Sequence, residues 1–174
     1  KNILNLNNVQ LRYLEKKKNI TMCIDPNWMP YEKIDDETHI GLSADYFNLF
    51  KEKLDIPITL IKTKTWSESL EFAKSRRCDI LSLAMETPSR KKYMNFTQPY
   101  LNIPLVLATK LDVTFITNFE TLVNKKIGIP KGYAFSEILK NKYKYLNIIE
   151  VDDIDDGLEK VRNGKLFGYI GTLA

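Results

Sequence analysis

Apolar positions along the chain alternate between short continuous runs and stripes at helical spacing. Val9, Leu11 and Leu14 recur at near-helical intervals over residues 7–17, ahead of a basic end, and predict a short leading helix. Asn19 to Asp25 is a compact apolar run that reads as a first strand, and the two prolines of DPNWMPYE then break regularity. Ser43 is placed to cap a helix through Leu54, with Ala44, Phe47, Phe50 and Leu54 on one face. Pro57 to Lys62 reads as a strand, a helix begins near Trp66 and carries Leu70 and Ala73, and Asp79 to Leu83 is a buried-type strand. After the irregular METPSRKKY comes a strand at Ile103 to Thr109, where the pattern restarts. The spacing then predicts a helix near Asn118 to Leu122, a strand at Lys126 to Ile129, and a Gly132 turn into a helix through Lys140. A strand at Asn147 to Val151, a helix from Ile154 to Arg162 and a strand at Phe167 to Gly171 follow.

Alternating strands and helices with short connections predict an α/β fold. The simplest division is a leading helix at 1–18, a first lobe at 19–105 and a second lobe at 106–174. The chain stops directly after GYIGTLA, with no closing helix.

Composition narrows the function. Of 174 residues, 44% are hydrophobic, enough for a packed core. Its 26 basic and 22 acidic residues give a formal charge of +4 and are mostly interleaved, as on a solvated surface. The densest basic runs, Lys16-Lys17-Lys18 and Arg90-Lys91-Lys92, lack interleaved aromatics, which argues against nucleic-acid binding. No stretch approaches the roughly 18 apolar residues of a membrane span, and no signal peptide is present. The start at Lys1 predicts an excised or processed piece, so the missing signal carries no weight on compartment. Cys23 and Cys78 each lie in an apolar run and read as two buried thiols in preference to a bridge. His39 reads as part of a polar loop, without the Cys or acidic partners at ligand spacing that a metal site needs. A Ser-His-Asp set, a metal cluster and informatively spaced carboxylate pairs are all absent, so no catalytic residue, metal or cofactor is expected.

Several segments, taken in order, resemble the amino-acid-binding branch of type II periplasmic solute-binding proteins. ITMCIDPNWMPYE resembles that family's first strand and aromatic–Pro loop, and IGLSADYFNLFKEKLDIPITLI its Gly-led helix and second strand. The most specific likeness is CDILSLAMETPSRKKYMNFTQPYL: an Asp-led strand, Thr-x-x-Arg-Lys, then Phe-Thr-x-Pro-Tyr. KKIGIPKGYAFSEIL and GLEKVRNGKLFGYIGT resemble the opening of the second lobe and its later helix-turn-strand. The resemblance implies a two-lobed fold that closes on a small ligand, and a chain return to the first lobe that this sequence ends before. The leading LNNVQLRYLEKKKNI resembles the helix that precedes such modules in membrane-bound sensor kinases and diguanylate cyclases.

Carried over residue by residue, the resemblance implies a ligand-binding set. Trp28 and Trp66, the only tryptophans, fall where two rings sandwich the ligand, and flat rings bury much apolar area at little rotamer cost. Both also fit a plain core role. Arg90 falls on the arginine that grips a ligand carboxylate, for which a planar two-pronged donor is suited. Asp25 falls on a ligand-bonding position, though a strand-end carboxylate equally caps a turn. Leu83 and Met85 occupy positions of backbone or hydroxyl contacts, and Met85 cannot donate through its side chain. Tyr133 and Ala134 open a helix after Gly132, where backbone N–H groups favour an anion. Thr172 replaces an aspartate that pairs with an α-ammonium, which puts a standard α-amino acid in doubt.

The expected function is therefore a periplasmic or extracytoplasmic sensor domain that binds a small carboxylate or amino-acid-like solute and is not an enzyme. Tethering to a membrane would run through residues outside this chain, and a homodimer is compatible with the reading. The alternatives are the substrate-binding subunit of an amino-acid ABC transporter and, less favoured, a dehydratase-like enzyme, for which only Asp25 and Glu86 offer an acid or base.

Overall fold

The computed structural model describes residues 4–173. Residues 1–3 of the expected leading segment and residue 174 of the expected second lobe lie outside them. The chain divides into two compact units between Ala84 and Met85. The sequence pattern placed the division after 105. Residues 85–105 group with the second unit because Arg90 donates to the Gly132 carbonyl and the Leu173 N–H donates to Pro104.

In the first unit the leading helix forms as α1 (Asn8–Lys17). Asn7 accepts from the Gln10 N–H while the Gln10 side chain accepts from the Asn7 N–H, a reciprocal capping box. Lys16 and Lys17 occupy its last turn, where cations suit the helix dipole. Strand β1 (Ile20–Cys23) follows.

The Pro-broken segment then departs from expectation. It contains three short strands, β2 (Asn27–Trp28), β3 (Glu32–Asp35) and β4 (Thr38–Ile40), paired antiparallel in that order. Its tight turn places Asp36 and Glu37 at φ 40° and 69°, both left-handed. That is the geometry of a two-residue hairpin turn, without the Asn-Gly or Asp-Gly signature that would announce it. His39 consequently lies in a strand, not in a loop.

Helix α2 (Leu42–Leu54) is capped by Gly41, not through Ser43. Gly41 sits at φ 101°, and a Cβ there would stand 2.8 Å from the Tyr31 carbonyl oxygen, so no side chain fits. Ser43 instead lies inside the helix and turns its hydroxyl to Glu32. Ala44 and Phe47 are buried as the stripe predicts, whereas Phe50 is exposed and meets Phe47 edge-on at 5.3 Å.

Strand β5 (Ile58–Leu60), helix α3 (Trp66–Lys74) and strand β6 (Ile80–Leu81) complete the unit. The sheet is parallel in the order β5-β1-β6, with Ile20 opposite Ile58 and Met22 opposite Ile80. Met22, Ile24, Phe47 and Ile58 form its core. Cys23 and Cys78 are joined as a disulfide, which corrects the reading of two buried thiols. Cys23 ends β1 and Cys78 lies just ahead of β6, and their Cα atoms stand 5.8 Å apart, inside the range a bridge spans.

The second unit carries β7 (Leu105–Thr109), β8 (Lys126–Pro130), helix α4 (Ala134–Lys142), β9 (Asn147–Val151), helix α5 (Ile154–Arg162) and β10 (Gly168–Thr172). The helix expected near Asn118 is a single 3-10 turn at Phe119–Leu122, capped by the Asn118 side chain. Strand order is β7-β10-β8-β9, with only β7 antiparallel. Leu122, Ile127, Ile129, Phe135, Leu139, Leu146 and Ile170 form one core cluster. Val151, Val161, Leu166 and Tyr169 form another, under α5.

Candidate functional site

In open α/β sheets, ligands bind beyond the carboxyl ends of the parallel strands. Most of the residues selected by resemblance lie in such places, within each unit. In the first, Asp25 stands just beyond β1, Leu83 just beyond β6, and Trp66 opens the helix that follows β5. In the second, Tyr133 and Ala134 lie at the start of the helix after β8, and Thr172 is the last residue of β10. Trp28 lies in β2, and Met85 and Arg90 lie within the irregular stretch after β6.

Asp25 is 5% exposed. Its Oδ1 accepts the Asn27 N–H at 2.9 Å, so the carboxylate does hold the local turn, and its own N–H donates to Glu32 Oε1 at 2.8 Å. Trp28 is half-buried and its ring lies 5.0 Å from that of Tyr31, tilted by 47°. Trp66 is 8% exposed and begins α3, whose first turn is capped by Thr65 accepting from the Glu68 N–H. Leu83 is buried.

Arg90 is 5% exposed, in a 3-10 turn at Arg90–Lys92. Its guanidinium donates to the Met85 carbonyl at 2.8 Å and to the Gly132 carbonyl at 2.9 Å. One of its N–H donors therefore ties this turn to Gly132, just ahead of α4, and another folds the turn back onto Met85. Burial pulls this group below its ordinary value, while nearby Tyr93 and Glu137 act the other way. Met85 is exposed, and Ala134 is buried in the first turn of α4. Gly132 takes φ 81°, the left-handed turn that reverses the chain into the helix. Tyr133 is the N-cap, and its N–H donates to Pro130 at 3.2 Å. Thr172 pairs across the sheet with Leu105. Among the described residues, no group of three or more His, Cys, Asp or Glu is placed to hold a metal ion.

Sequence reasoning missed a buried polar cluster beside Asp25. Glu32 is 0% exposed. Its Oε1 accepts from the Asp25 N–H, and its Oε2 accepts from Ser43 Oγ at 2.9 Å and from Ser82 Oγ. His39 Nε2 lies 2.7 Å from Ser43 Oγ and 4.0 Å from Glu32 Oε2. Burial, partly offset by these hydrogen bonds, pushes the Glu32 carboxyl up to about 8. Burial, with Lys51 adding to it, lowers His39 to about 4. Both groups are thus neutral near pH 7. A second buried pair is Thr63 and Ser69, where Ser69 Oγ donates to the Ile24 carbonyl at 2.7 Å. A sequence signal for the first cluster existed in His39 and Ser43, four positions apart across a strand-to-helix turn. Glu32, after Pro30 and Tyr31 in the Pro-broken segment, reads as one more charged loop residue.

Residues 20–165 match the bacterial extracellular solute-binding proteins, family 3. The chain belongs to this family. Its domain is 20% identical over 137 residues to the virulence sensor protein BvgS of Bordetella pertussis, covering 79% of this chain and 11% of that protein. It is 24% identical over 157 residues to the ABC transporter arginine-binding protein 1 of Escherichia coli, covering 89% of this chain and 63% of that protein. The chain thus spans under two thirds of either relative. The crystal structure of the periplasmic VFT2 domain of Bordetella pertussis BvgS superposes with a TM-score of 0.83 at 17% identity, over 95% of this chain and 71% of that one. The fold is accordingly that of a Venus-flytrap solute-binding domain. Small-ligand binding is the role of this family.

Proposed function

We propose that this chain is the extracytoplasmic input domain of a signalling receptor, binding a small carboxylate-bearing or amino-acid-like solute without transforming it. The observation that carries the reading is positional. Asp25, Leu83, Tyr133, Ala134 and Thr172 lie at or just beyond the carboxyl ends of parallel strands, where this architecture places its ligands. The likeness to a sensor protein favours an input role, as does α1, held against the first unit by the 2.7 Å pair of Lys17 with Asp79. The Cys23–Cys78 bridge favours an oxidising compartment such as the periplasm. Membrane tethering through residues beyond this chain, and pairing with a second copy, belong to the same reading. The likeness to an arginine-binding transport protein supports a transport subunit as the second reading. Continuation of the full-length chain into a membrane-spanning helix and a kinase or cyclase domain would decide for sensing.

Thermal denaturation with L-arginine, L-glutamine, succinate and putrescine tests binding. A solute at one hundred times its Kd stabilises by about 2.7 kcal/mol and raises the midpoint visibly. We expect a carboxylate-bearing solute to do so, and Trp28→Ala to weaken it through loss of the ring. Thr172→Asp restores an ammonium partner and should shift preference toward α-amino acids. No shift with any carboxylate at millimolar concentration would sink the binding reading, and turnover of any of these solutes would move the chain into the enzyme class.

A further inference from the structure

The polar cluster in the first unit has a geometry that packing alone does not demand. The peptide linking Ile24 to Asp25 has both of its polar atoms held by buried side chains: its carbonyl accepts from Ser69 Oγ at 2.7 Å, and its N–H donates to Glu32 Oε1 at 2.8 Å. The other oxygen of Glu32 reaches Ser43 in α2 and Ser82 at the end of β6. One carboxyl group is therefore the common partner of three elements, and two of its contacts are immediate neighbours of candidate ligand residues. The Asp25 N–H belongs to Asp25 itself, and Ser82 precedes Leu83. The remaining strand of the cluster, β4, contributes His39 through Ser43.

We infer that Glu32 is the positioning residue of the first unit's share of the candidate site, fixing the peptide that presents Asp25 and the end of β6 that presents Leu83, and that gain or loss of its proton changes that arrangement. The inference rests on the solute-binding reading for its functional meaning, and on the hydrogen bonds for its content.

The chemistry follows from donor counting. A neutral carboxyl has one O–H, so it accepts the Asp25 N–H on one oxygen, donates to one serine hydroxyl from the other and accepts from the second. An ionised carboxylate has acceptors only, so both hydroxyls must turn toward it, and Ser43 must then accept from His39. The charged groups that act on this pair are the Asp25 carboxylate beyond β1, which opposes ionisation of Glu32, and Lys51 in α2, which opposes protonation of His39. Neither neutralises the anion, so ionising Glu32 places an unbalanced charge in a fully buried site. The hydroxyls reorient and the peptide they share a partner with shifts.

Amide NMR of the unliganded chain between pH 6 and 9.5 tests this, a range that brackets the Glu32 value of about 8. The Asp25 and Ser82 amides should move together with one midpoint near 8, while Gly128 in the second unit stays still. Glu32→Gln keeps the acceptor for Asp25 and donors for both serines, and should abolish the midpoint with the fold intact. Should that variant fail to fold, Ser82→Ala removes a hydrogen bond that favours the anion, and the midpoint should move upward. With succinate as probe, whose carboxylates stay ionised throughout, the wild-type affinity should fall about tenfold from pH 6.5 to 9, and the Gln variant should lose that dependence. Asp25 and Ser82 amides that do not titrate, or that titrate unchanged in both variants, overturn the inference. If none of the carboxylate solutes binds at any pH, the solute reading is what suffers, and the unliganded titration still decides the role of Glu32.

Discussion

The two units share one arrangement of three parallel strands, to which the second adds antiparallel β7, and hold it by different means. In each, the first of the parallel strands lies centrally between the second and third, giving β5-β1-β6 in one and β9-β8-β10 in the other. The second unit fills its sheet with hydrocarbon: Ile127 and Ile129 are 0% exposed, and Phe135, Leu139 and Ile170 pack against them. The first has a smaller apolar cluster and adds a covalent bridge and buried polar contacts at Glu32, Ser43, Ser69 and Ser82. Hydrophobic packing is non-directional and tolerates small displacements, whereas a shared hydrogen-bond acceptor fixes particular atoms. The difference teaches that the first unit invests in placing individual strand ends, the second in cohesion.

The largest effect should come from opening the bridge. Cys23 and Cys78 are 55 residues apart, and a loop of that length restrains the unfolded chain by about 4 kcal/mol in the chain-entropy account. Both tryptophans belong to the first unit, so their fluorescence reads that unit alone. We expect Cys23→Ala/Cys78→Ala to lower the tryptophan-detected urea midpoint sharply, while the amides of Ile127 and Ile129 keep their exchange protection. Equal loss in both units would break the comparison.

A smaller effect should appear with pH, again in the first unit. Glu32 is raised from 4.5 to about 8, so between those values the unfolded chain has lost a proton that the folded chain keeps, and stability falls as pH rises. His39 is lowered from 6.5 to about 4, so between those values the unfolded chain holds the extra proton, and stability rises with pH. The two slopes oppose each other from 4.5 to 6.5 and leave a plateau. From 6.5 to 8 only Glu32 acts, and the first unit should lose about 2 kcal/mol, at the slope of a single proton. Glu32→Gln should flatten that limb in urea titrations at stepped pH, and a limb that survives would assign it to another group.

Much of this organisation was legible in the sequence because it depends on local periodicity. Asn147–Val151 and Ile154–Arg162 form as their spacing predicts, and the leading helix, β1, β5, β8 and α4 lie within a few residues of expectation. The meander at β2, β3 and β4 was hidden because its turn uses Asp36 and Glu37 in left-handed geometry without glycine. The bridge was hidden because apolar surroundings suit a thiol as well as a disulfide, and only the folded chain, which sets the end of β1 within 5.8 Å of the residue ahead of β6, separates the two. Glu32 escaped for a related reason. Its partners come from positions 25, 43 and 82, and no spacing rule links residues that meet only once a parallel sheet has formed. The residues selected by resemblance could be located at strand ends, but Arg90's bonds to two backbone carbonyls carry no sequence signal.

The smallest effect is the one that calibrates the others, because the two units share it. Thr65 caps α3 by accepting from the Glu68 N–H, and Asp153 caps α5 by accepting from the Asp156 N–H at 2.8 Å. Each satisfies a backbone donor that the first helical turn leaves without a partner inside the helix, worth about 1 kcal/mol. Asp153 also brings a negative charge to a helix N-terminus, which adds a few tenths of a kcal/mol at low salt and is screened at high salt. Thr65→Ala and Asp153→Ala should therefore cost nearly the same at high salt, with Asp153→Ala slightly worse at low salt. The test is urea unfolding of both variants, read by tryptophan for the first unit and by Ile127 and Ile129 exchange for the second. If matched local changes cost each unit alike while the bridge and pH changes fall on the first alone, the contrast lies in how the interiors are held and not in the helices that cover them. A Thr65→Ala cost several times that of Asp153→Ala would place the difference in the helices instead.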